Sequence, residues 1–87
     1  MIVTKQLLAV NLLSYLQHKK SLDDLVNWAE DAFMDGKIND DDHEVVGSIL
    51  ARIGVADVKA FGLTLEDCDE IMRKLGYELK IDAGLVA

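Results

Sequence analysis

Apolar residues recur with a helical period over four stretches of the chain, and capping residues bound most of these stretches. The clearest is the second, where Ser21 precedes apolar residues spaced three and four apart. That spacing places the apolar side chains on one face of a helix. Ser21 supplies an N-cap hydroxyl, and Gly36 is a natural C′ residue. The predicted inward face consists of Leu22, Leu25, Val26, Ala29, Ala32 and Phe33.

The first predicted helix, over residues 4–17, is apolar around most of its circumference. A helix of this kind is buried on all sides. In so small a chain it lies either at the centre of the bundle or at the interface of a homodimer. We predict a homodimer whose interface consists of Leu8, Leu12, Tyr15 and Leu16.

The third helix is predicted to begin near residues 40–41 and to end before Gly54. Its predicted inner face includes Val46, Ile49, Leu50 and Ile53. Gly47 lies inside this helix, where glycine costs about 1 kcal/mol relative to alanine. Close packing of another helix would offset that cost, so we predict a helix crossing at Gly47 and Ala51.

The fourth helix is predicted to begin after Thr64, with Asp67 at the capping-box position, and to end at Gly76. Its predicted inward residues are Leu65, Cys68, Ile71, Met72 and Leu75. Residues 56–61 predict a short helical turn between the third and fourth helices.

The tail after Gly76 changes to a period of two over Tyr77–Ile81, which is typical of a strand. Such a strand would pair with Ile2 and Val3 or with a second chain. The alternative is an irregular tail that lies on the bundle. Together these elements predict one all-α domain over residues 1–87, a small bundle of four main helices with a short helical turn and a tail from residue 77.

Charge is distributed unevenly along the chain, which carries nine basic and sixteen acidic residues and a net charge of −7. Residues 1–20 contain three lysines and no acid, whereas residues 21–44 contain nine acids and one lysine. Binding of nucleic acid needs a basic face, and the sequence shows none. The acidic segment predicts either a solvated surface or a docking site for a basic protein.

The second helix also carries Trp28 at the edge of its apolar stripe and Met34 roughly opposite that stripe. An aromatic residue among acids is a plausible protein-binding anchor, although many tryptophans of this kind only complete the edge of a core. The predicted partner-binding residues are Asp24, Trp28, Asp31, Met34 and Asp35.

A calcium loop is the alternative interpretation of the corner between the second and third helices. Aligned to an EF-hand, the sequence offers oxygen ligands and places Gly36 at the sharp turn. Phe33 occupies a ligand position, however, which favours a simple helix corner. The alternative metal ligands are Asp31, Asp35, Asn39 and Asp42.

Cys68 is the only cysteine, so no intramolecular disulfide forms, and the expected compartment is the cytoplasm. Its position on the inward stripe of the fourth helix indicates a structural thiol. Two histidines and one cysteine do not suffice for a structural zinc site. No enzymatic activity, cofactor or membrane-spanning segment is therefore expected.

Residues 54–68, the Leu75–Tyr77 stretch and the Trp28–Glu30 stretch resemble small bacterial helical proteins of unknown function. In size and acidity the chain is also similar to the colicin-nuclease immunity proteins, although it lacks their tyrosine-pair motif. We expect a non-enzymatic interaction protein of the immunity, antitoxin or inhibitor type that binds a basic protein. The alternatives are a degenerate EF-hand-like helix pair and a structural domain that only self-associates.

Overall fold

The computed structural model describes residues 2–56 and 62–79, and this part of the chain contains four α-helices. The predicted small, mostly helical fold is confirmed. The predicted turn at residues 56–61 lies, apart from Ala56, outside the described residues. In chain order the elements are β1 (Ile2–Val3), α1 (Lys5–Leu16), α2 (Leu22–Asp35), β2 (Lys37–Ile38), a 3₁₀ turn (Asp40–Asp42), α3 (His43–Gly54) and α4 (Leu65–Lys74).

The N-termini of α1 and α2 are closed by hydroxyl groups. Thr4 Oγ1 accepts a hydrogen bond of 3.0 Å from the backbone N–H of Leu7. Ser21 Oγ accepts one of 3.1 Å from the backbone N–H of Asp24. Each bond satisfies a helix N–H that has no partner within its own helix, so the start of each helix is fixed by local chemistry.

Helix α4 has the predicted capping box. The backbone N–H of Asp67 donates to Thr64 Oγ1 at 3.1 Å, and the backbone N–H of Thr64 donates to Asp67 Oδ2 at 3.0 Å. These bonds, chiefly the one from the Thr64 backbone, hold the pKa of Asp67 below its ordinary value. At the other end Gly76 has φ of +89°, and the Tyr77 N–H donates to the Met72 carbonyl at 2.8 Å. This is the glycine-terminated helix end that the sequence predicts.

The two short strands form a parallel pair, with Ile2 opposite Lys37 and Val3 opposite Ile38. Helices α1 and α2 supply the long connection that parallel pairing needs. Ile2 and Val3 thus pair with β2, whereas residues 80 and 81 of the strand expected over Tyr77–Ile81 lie outside the described residues. Within the described part of the tail, residues 77–79 form no strand. Val3 is only 1% exposed, so the pairing also carries its side chain into the core.

One hydrophobic cluster connects all four helices. Helix α2 makes its most extensive helix contacts with α3, and α1 adds two leucines that are completely buried. The largest fully buried side chains are Val3, Leu8, Leu12, Leu25, Val26, Val46, Leu50, Ile53 and Cys68.

Helix α1 is buried on one side only, in contrast to the prediction. Leu8 and Leu12 are 0% exposed inside their own chain, so a dimer interface at these two residues does not hold in this structure. Tyr15 and Leu16 are half-buried and pack against the same cluster. The apolar side chains of α1 that face solvent are Val10, 53% exposed, and Leu13, 37% exposed.

Two residues assigned to inward faces lie outside the core. Phe33 is 57% exposed and Leu65 is 52% exposed. Phe33 lies in the last turn of α2 and Leu65 in the first turn of α4. Periodicity gives the direction of these side chains, but the neighbouring helices do not cover the ends of α2 and α4.

The predicted helix crossing at Gly47 and Ala51 is also wrong. A Cβ atom at Gly47 would meet no heavy atom within 4 Å, and Ala51 is exposed. Gly36, by contrast, has no room for a side chain. A Cβ there would clash with the Ala32 carbonyl oxygen and would lie 2.7 Å from Val3 Cγ2. Glycine at position 36 therefore lets β1 approach the end of α2.

Replacing Gly36 with alanine should lower the free energy of unfolding by about 1–3 kcal/mol, because the new methyl group would overlap the Ala32 carbonyl oxygen and overpack the contact with Val3. Gly47→Ala is the matched control, since it adds the same methyl group in open space inside a helix. It should raise stability by about 0.5–1 kcal/mol. Urea unfolding followed by circular dichroism measures both changes. Equal effects of the two substitutions would contradict the close approach of β1 to Gly36.

Candidate functional site

The acidic residues of α2 point to solvent and take part in no ion pair within residues 2–56 and 62–79. Asp24, Asp31 and Asp35 are all exposed, and their spacing places them in one row along a helix of 3.6 residues per turn. We call these three residues the α2 acidic row. The ion pairs of the described chain involve other acids: Lys5–Asp42, Arg52–Asp67, Arg73–Asp69 and Lys74–Glu70. The row therefore presents uncompensated negative charge.

Trp28 lies in the same row, but it belongs largely to the fold. Its half-buried ring packs against the core cluster, and Lys20 Nζ lies 5.9 Å from the ring centroid. The same ammonium group donates a 2.6 Å hydrogen bond to Oδ1 of Asn11, whose Nδ2 donates to the Leu7 carbonyl. Lys20 thus connects α1 to α2 and occupies the face of the indole that a cationic partner would use.

Met34 is 80% exposed, as predicted, but it belongs to a different feature from Trp28. It lines an open groove of about 400 Å³ between α2 and the C-terminal part of α3. Among the described residues that line this groove, Glu30 alone carries a charge. We call it the α2–α3 groove; its lining residues are Glu30, Phe33, Met34, Leu50, Ala51, Gly54 and Val55.

The apolar part of this groove was missed by the sequence analysis. The periodicity of α2 places Phe33 in the core, and the sequence pattern does not single out Val55, which is 39% exposed. The signal in the sequence is the pair of small residues Ala51 and Gly54 on α3. The predicted helix crossing at Gly47 and Ala51 would have covered Ala51, but the structure lacks that crossing. Because that crossing is absent, this side of α3 stays open to a binding partner.

The calcium-loop alternative is not supported by the geometry. Helix α2 continues to Asp35, so Asp31 and Asp35 belong to a helix instead of a loop. Asp42 Oδ1 lies 3.5 Å from Lys5 Nζ, and this ammonium group occupies the place of a cation. No group of three His, Cys, Asp or Glu side chains within the described residues is placed to hold a metal ion.

A second, polar groove of about 260 Å³ lies between α3 and α4. Its charges balance each other, since Arg52 Nη2 lies 3.2 Å from Asp67 Oδ2 and Lys74 Nζ lies 3.5 Å from Glu70 Oε1. Paired charges at a surface are weak attractants for a charged partner. The acids of the α2 acidic row therefore differ from Asp67 and Glu70 of this groove, which are paired with cations.

Cys68 is completely buried in the core face of α4. Burial, with a smaller contribution from the neighbouring Asp67 carboxylate, raises the pKa of its thiol to about 11. Since the thiolate is the nucleophilic form, this thiol is unreactive near neutral pH.

No protein-family model matches this chain, and the searches of curated proteins and of solved structures find no significant match. The resemblance to small bacterial helical proteins stays a prediction. Within the described residues, no helix is long and apolar enough to span a membrane. Function is therefore inferred from the geometry of the surface.

Replacing Phe33 with alanine should change the free energy of unfolding by less than about 1 kcal/mol, because the side chain is exposed. Leu25→Ala in the same helix should cost about 2–5 kcal/mol, since Leu25 is completely buried. Chemical denaturation of both variants checks this difference. A cost for Phe33→Ala as large as that for Leu25→Ala would place Phe33 in the core.

Cys68 should react with a disulfide reagent such as Ellman's reagent far more slowly in the folded protein than in urea. The raised pKa alone lowers the thiolate fraction about 100-fold below that of a thiol at the reference value of 9.0. Raising the pH towards 11 should speed the reaction as the thiol ionises. Equal rates in the folded and urea-unfolded protein would show that the thiol is accessible.

Proposed function

We propose that this chain is a non-enzymatic interaction module that binds a basic protein through α2. The observation that carries the proposal is the α2 acidic row, whose three carboxylates are exposed and take part in no ion pair with the described residues. An exposed row of this kind attracts a cationic surface, and the binding breaks no ion pair between the row and the described residues. Long-range attraction of this type speeds encounter and selects the partner by charge.

The α2–α3 groove supports the same proposal by offering apolar contact beside the charges. Phe33 and Met34 are exposed at the end of the helix that carries the row, and Val55 faces the same groove. Charge alone gives weak and salt-sensitive binding, whereas buried apolar anchors contribute most of the affinity of an interface. The partner that fits is therefore a basic protein with an apolar side chain that enters the groove.

Binding of such a partner is consistent with a role of this chain as an immunity protein, an antitoxin or an inhibitor acting in the cytoplasm. Each of these neutralises a second protein by covering part of its surface. Nuclease toxins, for example, need basic surfaces to hold nucleic acid. The α2 acidic row would bind such a basic surface by mimicking the negative charge of the nucleic acid.

The test is capture of partners from a lysate of the source organism by the wild-type chain and by the variant Asp24→Lys/Asp31→Lys/Asp35→Lys. We expect the wild type to retain basic proteins at low salt and to release them at high salt, because salt screens exposed charges. The triple variant should retain none of these proteins. Mass spectrometry identifies and quantifies what each bait holds.

The matched control is Glu44→Lys/Glu66→Lys/Glu78→Lys, which makes the same change in net charge at three exposed acids outside α2. This control should retain the same proteins as the wild type. Equal loss of binding in both triple variants would mean that only net charge matters. Equal retention in both would remove the α2 acidic row from the proposal.

A further inference from the structure

A second exposed apolar surface lies on α1 and beside the end of α4. One hollow of about 170 Å³ lies between α1 and α4, and a second of about 340 Å³ adjoins it at the N-terminus of α1. Gln6 and Val10 line both hollows, so the two form one continuous surface. We call it the α1–α4 face, and its principal residues are Ile2, Gln6, Val10, Leu13, Met72 and Tyr77.

This face is uncharged, in contrast to the other grooves of the described chain. None of the described residues that line its two hollows is acidic or basic. The α2–α3 groove includes Glu30, and the α3–α4 groove includes Arg52 and Lys74. Along α1, Gln6, Val10 and Leu13 follow at helical spacing, and Val10 and Leu13 are exposed apolar side chains. An uncharged face of this kind fits an uncharged partner surface.

We propose that the α1–α4 face binds the same face of a second copy of this chain, which gives a symmetric dimer. Each copy carries a net charge of −7, so contact between two copies is opposed by repulsion wherever acidic surfaces meet. Residues 1–20 contain three lysines and no acid, and Lys5 is the only charged residue of α1, so two copies that meet along α1 do not bring acidic residues of this helix together. A two-fold dimer needs one surface that is complementary to itself, and an uncharged apolar face meets that condition.

The geometry of α1 sets the expected strength and symmetry of this dimer. A helix of 12 residues is about 18 Å long, so the face buries less than the roughly 800 Å² per partner of a standard interface. We therefore expect a weak dimer that forms only at high protein concentration. Val10 lies near the middle of α1, so two antiparallel copies of this helix bring the two Val10 side chains close to the symmetry axis.

Sedimentation equilibrium over a wide range of protein concentration tests the dimer. The mass should rise from 9.6 kDa towards twice that value as concentration increases. Added salt should strengthen the dimer, because it screens the repulsion between the acidic copies. The proposed binding of a basic partner has the opposite salt dependence, so the two proposals stand or fall separately.

The variant Val10→Lys locates the interface. This substitution changes the net charge of each copy from −7 to −6, which reduces the overall repulsion between two copies. It nevertheless places two lysines close to the symmetry axis of the dimer. We expect dimerisation to weaken about 100-fold, since like charges juxtaposed in an interface cost several kcal/mol. Met34→Lys, the same change at an exposed apolar residue in the α2–α3 groove, is the control and should leave dimerisation unchanged. Circular dichroism confirms that both variants fold.

Disulfide cross-linking gives a second readout. Because Cys68 is buried and its thiol has a pKa of about 11, a cysteine introduced at an exposed position is the reactive thiol. Val10→Cys should form a covalent dimer under mild oxidation much faster than Met34→Cys. A monomer mass at all concentrations up to millimolar, or dissociation by Met34→Lys instead of Val10→Lys, would overturn the proposal.

Discussion

The four helices bury their apolar faces in one cluster, and the small volume of that cluster constrains the rest of the surface. A chain of 87 residues encloses little interior, because surface grows relative to volume as a protein becomes smaller. Leu12, Leu25 and Leu50 fill the interior, whereas Phe33 and Val10 lie beyond its reach. Both proposed binding surfaces include apolar side chains that this core is too small to cover.

The starts of α2 and α4 and the end of α4 could be predicted from the sequence because they depend on atoms only a few residues apart, whereas α3 begins at His43, after the predicted residues 40–41. Ser21, Thr64 and Gly76 act as the sequence predicts, each through a bond or a backbone angle within its own helix end. Exposure at helix ends could not be predicted in the same way. Phe33 and Leu65 have the periodicity of core residues, but only the arrangement of the neighbouring helices decides whether a side chain is covered.

The candidate site shows the same division. Asp24 and Met34 are exposed because they lie away from the apolar stripe of α2, and this exposure can be predicted from the sequence alone. The separation of Trp28 from Met34 could not be derived, because it depends on residues from other helices. Lys20 covers the indole from the loop between α1 and α2, and Val55 joins Met34 from the end of α3. These contacts redistribute one predicted cluster into an acidic row and an apolar groove.

The uneven distribution of charge keeps the two proposed surfaces from competing with each other. Two copies of the α2 acidic row repel, so self-association at the uncharged face of α1 does not occupy the row. The proposed basic partner would in turn be attracted to α2 and would gain nothing from the uncharged α1–α4 face. A dimer formed through α1 would therefore carry two free acidic rows, and a partner with two basic sites would bind it more tightly than it binds a single chain.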